Sequence, residues 1–496
     1  MMNTSRLFLA LMLSCMLPAA LAAQGAEYAI QTNTNSWATA GNVDFGFTDN
    51  VTVMAWVKWN VTPGNGNNWA NIVTLNANTG SGDIGQFWLQ HDQYNTSFEF
   101  AVQTSVSRQY VQSTTTPVAN RWYHIAGVYT GSQLRIYING VLEASANHSG
   151  DVRALAATDE LSVGRWCNPA DNYRVLQGDI DEASVWTTAL SQTEIRDRMC
   201  VSLTGAESGL GAYWRFDAGS GTLIQDHSPN GRNLAFSGTT PLWVCSGAPI
   251  GDVSTYTYTG SWGGTSITLA HPNGDYVLVN NVSGSPSGIH VIRIDEAPNV
   301  TTPPGSWYRL SSKRYFIIFA AGGTSVTYRT RYYYFNASNQ GHPGIGGENQ
   351  LRLAYRLDGC ASSWSQHGTN PSTGSNYIQM NSPYYTPQMQ FVLATINSNN
   401  TLMDDSYRWI GGNGSWTSSG NWQPSRTTVR PSDILIFDNY NNGAVTVSNV
   451  PTQTVSNILV SNGAVVQWTS TSNITLTLDN STFSGPALSI DAGCEL

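Results

Sequence analysis

Apolar and polar residues alternate with a period of two in many short segments that are separated by Gly- and Asn-containing turns. The clearest examples in the first half of the chain are Val51–Trp59, Phe98–Gln103, Trp122–Tyr129, Leu134–Asn139 and Gly211–Phe216. This alternation is typical of strands that bury one face. The pattern therefore predicts an all-β fold that begins with a β-sandwich or barrel.

One segment of the first half carries a helical signal. Ser191 can cap the N-terminus of a helix, and Glu194 stands three residues later, as a capping box requires. We therefore expect one short helix at Ser191–Met199.

A second group of strand-like segments predicts another β-sandwich-like block. Its strands are expected at Tyr276–Asn280, His290–Ile294, Tyr315–Phe319, Ser325–Phe335, Leu351–Arg356 and Gln388–Leu393. The aromatic run Arg329–Phe335 is interpreted as a strand with alternate faces buried and with Arg–Tyr cation–π contacts. Gly247–Ser254 has the Gly, Pro and small residues of a linker between the two blocks.

The third block opens at Trp409 and has short strand candidates whose starts lie 8 to 14 residues apart. They are expected near Ala444–Val447, Asn457–Val460, Val465–Thr469, Ile474–Leu478 and Leu488–Ile490. The spacing fits either a parallel β-solenoid or another sandwich. A solenoid needs a polar cap, and none is visible before Leu496. We therefore expect a longer native protein, or self-assembly through this region.

Composition narrows the function classes. Charged residues make up 11% of the chain, against about 25% in an average soluble domain. The formal net charge is −9 and there is no basic cluster, which argues against a nucleic-acid partner. An apolar fraction of 41% excludes general disorder. These values favour an extracellular, multidomain β protein.

The N-terminus indicates export. An arginine precedes the apolar run Leu7–Leu21, and small residues at Ala20 and Ala22 form a signal-peptidase site. Residues 1–23 are therefore predicted to be a signal peptide, with a lipid-modified Cys15 as the alternative. No later segment has the roughly 18 apolar residues of a membrane span.

Removal of the signal leaves an odd number of cysteines, so at least one thiol stays unpaired or bonds another chain. We favour a Cys200–Cys245 disulfide, which would join the turn after the helix to the closing strand of the same block. The pairing of Cys167, Cys360 and Cys494 stays open.

Four ordered motifs suggest a family for the first block. They are RWYHIAGVYTGSQLRIYINGVLEAS at Arg121–Ser145, LSVGRW at Leu161–Trp166, GDIDEASVWTTALSQTEI at Gly178–Ile195, and the segment Gly209–Gly238 with its Asp-x-Ser-x-x-Gly turn. Together they resemble laminin-G-like and pentraxin-like jelly rolls. The resemblance implies a concanavalin A-type two-sheet sandwich over residues 24–250.

The remaining blocks, residues 254–396 and 405–496, resemble modules of secreted surface proteins from Bacteroidetes-type bacteria. SKRYFIIFAAGG at Ser312–Gly323, LRLAYRLDGCASSW at Leu351–Trp364 and RWIGGNGSWTSSGNW at Arg408–Trp422 carry this likeness. The resemblance implies a multimodular surface protein. Such proteins carry a C-terminal sorting domain, so we expect the sequence to be a truncated form.

Asp179, Asp181 and Glu182 form a candidate catalytic group. Related glucanases place two catalytic glutamates on one strand, and a retaining mechanism needs two carboxyls about 5 Å apart. The second glutamate of that signature is absent here, since Ala183, Ser184, Val185 and Trp186 follow Glu182. We therefore expect these carboxyls to be structural, as in the non-catalytic members of the family.

Calcium is a second candidate, because pentraxin-like members hold it on one sheet face. The resemblance places the binding loops at Gly80–Gln86 and Cys167–Tyr173, with Asp83, Asp171 and Asn172 as candidate oxygen ligands. Calcium takes 6–8 oxygens, more than these residues supply. The alternative is that they are solvated turn residues.

Carbohydrate binding is the third candidate. Trp69, Trp88, Trp166 and Tyr173 lie in or beside the expected loops, with Asn172 nearby. Aromatic rings stack on the apolar faces of sugars, but exposed Trp and Tyr also fill domain interfaces. Trp56, Trp122, Trp186 and Trp214 lie within strand motifs and are expected in the core.

These observations predict a secreted, non-catalytic protein that binds glycans or other surface proteins through its jelly roll. The first alternative is a structural subunit of an extracellular fibre or matrix. The second is an accessory part of a polysaccharide hydrolase. No cofactor is required by any of these functions, although calcium is compatible with the first.

Overall fold

The computed structural model describes residues 28–61, 69–78, 83–94, 96–168, 173–238, 242–334, 342, 348–381, 387–396, 406–423, 426, 429, 431, 433–438, 443–461, 463–478 and 487–496. The predicted signal peptide lies outside these residues. The chain forms two compact units, one within residues 24–403 and one within 404–496. Its strands confirm the all-β prediction.

In its described residues, the first part of the larger unit contains one helix and a long series of strands. The helix, α1, is Gln192–Arg198. The strands are β1 Tyr28–Thr32, β2 Ser36–Gly41, β3 Val51–Trp59, β4 Ala70–Ala77, β5 Gly85–Asp92, β6 Ser97–Gln103, β7 Arg108–Gln112, β8 Trp122–Tyr129, β9 Gln133–Ile138, β10 Val141–Asn147, β11 Asp159–Val163, β12 Gly178–Trp186, β13 Leu210–Trp214, β14 Leu223–Ile224, β15 Leu234–Gly238 and β16 Trp243–Cys245.

These strands form two antiparallel sheets that pack face to face. The front sheet has the order β14-β15-β2-β11-β4-β5-β6-β7. The back sheet has the order β10-β9-β8-β3-β12-β1-β16, and β13 pairs with β12. Val53 and Ile125 of the back sheet meet Val73, Phe87 and Phe100 of the front sheet in one buried core. The result is a two-sheet sandwich.

Local sequence signals account for the turn and the helix of this sandwich. Asn139 and Gly140 have φ values of 50° and 74°, as a tight hairpin turn between β9 and β10 requires. The Ser191 side chain accepts from the Glu194 amide, and the Glu194 side chain accepts from the Ser191 amide. The predicted capping box is confirmed.

The second part of the larger unit is also built from two antiparallel sheets. Its strands are β17 Val253–Tyr258, β18 Ile267–Ala270, β19 Tyr276–Ser283, β20 Gly288–Ile294, β21 Arg309–Ala321, β22 Thr327–Tyr333, β23 Leu351–Arg356, β24 Ser365–His367, β25 Tyr377–Asn381 and β26 Gln388–Thr395. The inner sheet has the order β17-β20-β21-β26-β23-β24, and the outer sheet has the order β18-β19-β22-β25. A short 3₁₀ helix, Glu348–Gln350, precedes β23.

The central strands of the inner sheet are buried on both faces. Residues such as Phe316 and Ile318 face the outer sheet, whereas Ile317 and Phe319 face the back sheet of the first sandwich. The larger unit is therefore a stack of four sheets, in the order front, back, inner and outer. Gly247–Ser254 is not an exposed linker in this stack, because Ala248 and Ile250 are 3% and 1% exposed.

The disulfide prediction was wrong. Cys245 bonds Cys360, which lies between β23 and β24, with Cα atoms 5.7 Å apart. Cys200 follows α1 and is buried as a free thiol in the core between the back and inner sheets. Since the second sandwich folds back onto the first, the nearest partner of Cys245 comes from a later strand connection. Cys167 and Cys494 are also unpaired.

The smaller unit is built mainly from parallel strand pairs. Its strands are β27 Ser406–Trp409, β28 Gly414–Ser415, β29 Trp422–Gln423, β30 Ile434–Phe437, β31 Val445–Ser448, β32 Gln453–Val455, β33 Asn457–Val460, β34 Val466–Trp468, β35 Leu476–Leu478 and β36 Leu488–Ile490. A 3₁₀ helix covers Ser419–Asn421. Strands β27, β30, β33 and β36 pair in parallel, as do β28, β31 and β34, and also β32 and β35. Of the two expected arrangements, this is the one of solenoid rungs.

Candidate functional site

A row of polar side chains crosses four neighbouring strands on the outward face of the front sheet. Asn71, Gln90, Glu99 and Gln112 are register partners in β4, β5, β6 and β7. All four alternate with residues of the sandwich core, so that their side chains face away from it. We call these four residues the amide row.

Glu99 is the anchor of the amide row. Its Oε1 accepts from Gln90 Nε2 at 2.7 Å and from Trp88 Nε1 at 3.4 Å, and its Oε2 accepts from Gln112 Nε2 at 3.1 Å. Burial raises the pKa of Glu99, and the nearby Asp92 acts in the same direction. The hydrogen bonds to Glu99 hold the side chains of the row in fixed orientations.

Two acceptors of the amide row have no partner. Asn71 Oδ1 and Gln90 Oε1 are buried and accept no hydrogen bond from the protein, although the amide nitrogens of both residues donate. Directly opposed side chains in a sheet have Cβ atoms about 5 Å apart. A buried acceptor without a donor costs about 1–3 kcal/mol. Asn71 and Gln90 are 0% and 1% exposed, so the hydroxyl or amide donors of a ligand reach these two acceptors only when neighbouring groups move aside.

Aromatic rings lie beside the Asn71 end of the amide row. Trp69, whose carbonyl accepts from Asn71 Nδ2, is partly buried and packs edge-to-face against Tyr94 at 5.6 Å between ring centroids. Tyr94 is 68% exposed. The Arg174 guanidinium lies 5.5 Å from the Trp69 ring and 6.0 Å from that of Tyr173. These residues place aromatic rings beside the buried polar side chains of the amide row.

Two of the predicted sugar-stacking residues occupy a different position. Trp88 and Trp166 pack edge-to-face at 5.6 Å and are 2% and 1% exposed. Arg108 lies over Trp88 and Arg174 over Trp166, at 5.9 and 4.7 Å from the ring centroids. Because both rings are almost fully buried beneath these guanidinium groups, neither tryptophan presents a ring face to a ligand.

Asp83, a candidate calcium ligand, is paired with two arginines. Its Oδ1 pairs with Arg174 at 2.6 Å and its Oδ2 with Arg108 at 3.0 Å, so that two cations already neutralise it. Asp171 and Asn172 lie outside the described residues. Within the described part of the chain, no group of three or more His, Cys, Asp or Glu side chains is arranged to hold a metal ion.

The comparisons with known proteins agree with this fold. Residues 32–196 match the family profile of the concanavalin A-like lectin/glucanases superfamily. The N-terminal sandwich is a concanavalin A-like domain. No curated protein sequence matches the chain.

Solved structures similar to parts of this chain include the following three. A candidate carbohydrate-binding protein of Bacteroides ovatus is 20% identical, with a TM-score of 0.34 over 45% of this chain and 61% of that protein. A heptameric SAP-like pentraxin of Limulus polyphemus is 16% identical, with a TM-score of 0.26 over 35% of this chain and 81% of its own. The CBM40 module of a Ruminococcus gnavus sialidase, bound to α2,3-sialyllactose, is 14% identical, with a TM-score of 0.26 over 30% and 82%. The chain thus spans 61% of the length of the Bacteroides ovatus protein.

The acidic group on β12 lies on the opposite sheet of the concanavalin A-like domain. Asp179 forms an ion pair with Lys58 at 2.7 Å. Asp181 is fully buried, and accepts from the Glu182 amide at 2.9 Å and from Ser246 Oγ at 2.6 Å. Glu182 is 8% exposed and accepts a short hydrogen bond from the Tyr213 hydroxyl. These carboxyls do not line an open cleft.

Of the residues that the sequence suggested for sugar binding, the structure brings Trp69 and Tyr173 together beside Arg174. The sequence analysis did not identify the amide row or Tyr94. The signal was present in the segments QFWLQHD, SFEFAVQ and RQYVQ, which put Gln or Glu directly after an apolar residue on three consecutive strands. Reading the outward positions across neighbouring strands would have identified the row.

None of the helices in the described part of the chain is long and apolar enough to span a membrane.

Proposed function

We propose that the concanavalin A-like domain binds carbohydrate on the amide row and the aromatic rings beside it. The observation that carries this proposal is the pair of buried, unpartnered acceptors, Asn71 Oδ1 and Gln90 Oε1, beside Trp69 and Tyr94. Sugar hydroxyls donate to such acceptors, and the apolar face of a sugar ring packs on an aromatic ring. A ligand that satisfies both groups recovers the cost of leaving them unpaired.

The protein would act as a secreted, non-catalytic surface protein that attaches to glycans. The Cys245–Cys360 disulfide is compatible with an oxidising, extracellular compartment. A binding role is also supported by the burial of Asp181 and Glu182, because a hydrolase needs its two carboxyls in contact with substrate.

A glycan array probed with the mature chain tests the proposal. The expected result is a set of bound glycans whose affinity falls about tenfold or more in Tyr94→Ala and in Asn71→Ala, since each removes about one stacking or hydrogen-bonding contact. Tyr308→Ala is a matched control, because Tyr308 is an exposed tyrosine, 48% accessible, in the second sandwich.

Two results would overturn the proposal. One is the absence of binding to any glycan, which would favour a structural role for the domain. The other is binding that is equally strong in Tyr94→Ala, Asn71→Ala and the control.

A further inference from the structure

The outward face of the outer sheet carries a second set of aromatic and polar side chains. Each strand of this sheet buries alternate residues against the inner sheet, and the residues between them are partly or fully exposed. Register pairing aligns the exposed positions in three rows, which are Tyr276–Tyr333–Tyr377, Leu278–Arg331–Gln379 and Asn280–Arg329–Asn381. We call this surface the tyrosine–arginine face.

The three tyrosines form a continuous aromatic row. The Tyr276 and Tyr333 rings are stacked, with centroids 4.3 Å apart and planes 10° from parallel, and the Tyr333 and Tyr377 centroids are 5.1 Å apart. Neighbouring strands are about 4.8 Å apart, so the row extends roughly 10 Å across the sheet. All three rings are partly exposed, which leaves apolar surface open to a flat partner.

The two arginines are held by their inner nitrogens. Arg331 Nε donates to Gln379 Oε1 at 3.0 Å, and its guanidinium lies 4.7 Å from the centre of the Tyr377 ring. Arg329 Nε donates to Asn280 Oδ1 at 2.9 Å. These contacts fix the planes of both guanidinium groups and leave the terminal Nη atoms without a protein partner among the described residues.

The charge of this face is opposite to that of the chain. The exposed positions of the four strands include Arg329 and Arg331 but no Asp or Glu, whereas the whole chain has a formal net charge of −9. Neither arginine forms an ion pair in the described part of the structure. By contrast, Arg108 of β7 and Arg174, which lies between β11 and β12, both pair with Asp83. A guanidinium with free Nη atoms binds carboxylate and sulfate groups in a bidentate manner.

We propose that the tyrosine–arginine face is a second binding site, separate from the amide row, for an acidic polysaccharide. The sugar rings would pack along the tyrosine row, and the carboxylate or sulfate substituents would pair with the Nη atoms of Arg329 and Arg331. Cross-strand packing of the tyrosines also stabilises the sheet, but that role does not require two arginines without acidic partners.

Affinity electrophoresis of the mature chain tests this site with three polymers, namely polygalacturonate as the carboxylated probe, dextran sulfate as the sulfated probe and dextran as the neutral probe. We expect retardation by at least one anionic polymer, with weaker binding at high salt because exposed charges are screened. Whichever anionic polymer binds identifies the preferred substituent. Retardation by neither anionic polymer would overturn the proposal.

The double variant Arg329→Gln/Arg331→Gln should weaken binding about tenfold or more, since charge-assisted hydrogen bonds are lost. Its matched control is Arg121→Gln/Arg135→Gln, which removes the same charge from partly exposed positions of the first sandwich. Tyr333→Ala should also weaken binding, because it interrupts the tyrosine row. Equal retardation of both double variants would show non-specific attraction and would contradict the proposal.

Two further measurements distinguish this site from the amide row and from a contact between copies of the chain. Tyr94→Ala should still bind the acidic polymer, and Arg329→Gln/Arg331→Gln should still bind the glycans found on the array. The two proposals can therefore be refuted independently of each other. Sedimentation velocity tests for self-association through the same face. The proposal would be overturned if the wild type is not retarded by either acidic polymer and forms a dimer that Tyr333→Ala dissociates. The face would then be a contact between copies of the chain.

Discussion

Trp56 of the concanavalin A-like domain packs edge-to-face against Phe319 of the second sandwich, with ring centroids 5.2 Å apart. Both side chains are almost fully buried, and Trp56 Nε1 donates to the Met199 carbonyl at 2.6 Å. The contact belongs to a core that joins the back and inner sheets. The two sandwiches are therefore parts of one folding unit rather than independent modules on a linker.

Removing the Phe319 ring tests this shared core. We expect residues 24–403 of the wild type to unfold in one calorimetric transition. Phe319→Ala should lower the free energy of unfolding by about 3–5 kcal/mol, as large-to-small core substitutions do, and should separate the unfolding of the two sandwiches.

Phe391→Ala is the matched control, because Phe391 lies in the core between the inner and outer sheets. It should destabilise the protein by a similar amount, with loss of the second sandwich first. Two separate transitions in the wild type would contradict the shared core.

The Cys245–Cys360 disulfide should stabilise the same unit. It closes a loop with a sequence separation of 115 residues. In the chain-entropy model, a disulfide that closes a loop of this size stabilises the folded protein by roughly 4–5 kcal/mol. Cys245→Ser should therefore lower the free energy of unfolding in urea, while Cys200→Ala should leave the disulfide intact. Non-reducing peptide mapping that finds Cys200 joined to Cys245 would refute the observed pairing.

The buried Glu182 should make stability fall as the pH rises. Burial and the neighbouring Asp217 raise its pKa to about 8, from 4.5 for a free side chain. Between these values the folded protein holds a proton that the unfolded chain releases, so a higher pH favours unfolding. The pKa of Asp181 is raised by burial in the same direction.

Urea unfolding from about pH 6.5 to about pH 8.5 measures this effect, since the buried His124 and His290 change stability mainly below their free pKa of 6.5. Glu182→Gln mimics the protonated carboxyl and should flatten the decline. An equally steep decline in this variant would show that other groups cause it.

Calcium should not act through Asp83. Since Arg108 and Arg174 occupy both carboxylate oxygens, the change in melting temperature on adding calcium should be the same in the wild type and in Asp83→Asn. A calcium-induced rise that Asp83→Asn abolishes would restore Asp83 as a ligand, because ligand binding to the native state raises the melting temperature.

Many strands, one hairpin turn and the helix of this fold were predictable from local sequence. Alternating segments, the Asn139-Gly140 turn and the Ser191 capping box each specify structure within a few residues. The contact between the sandwiches depends instead on distant segments. Its signal was the strand run YFIIFAA at Tyr315–Ala321, in which both faces are apolar, a pattern typical of a strand buried on both sides.

The candidate site was harder to predict, because it also depends on contacts between distant segments of the chain. Trp88 and Trp166 are aromatic residues near expected loops, but their burial depends on the positions of Arg108 and Arg174. The amide row arises only when β4 to β7 pair in register. Residue type could therefore suggest carbohydrate binding, whereas the identity of the contacting side chains required the sheet.

The stack of four sheets has a consequence for how this protein could connect materials. Sheets that pack face to face lie about 10 Å apart, so the front sheet and the outer sheet are separated by roughly 30 Å and look in opposite directions. A single polymer chain cannot lie on both surfaces unless it bends around the stack of four sheets. Two sugar-binding faces held in this way would make the larger unit a rigid cross-linker, which fixes the gap between two different polysaccharide layers.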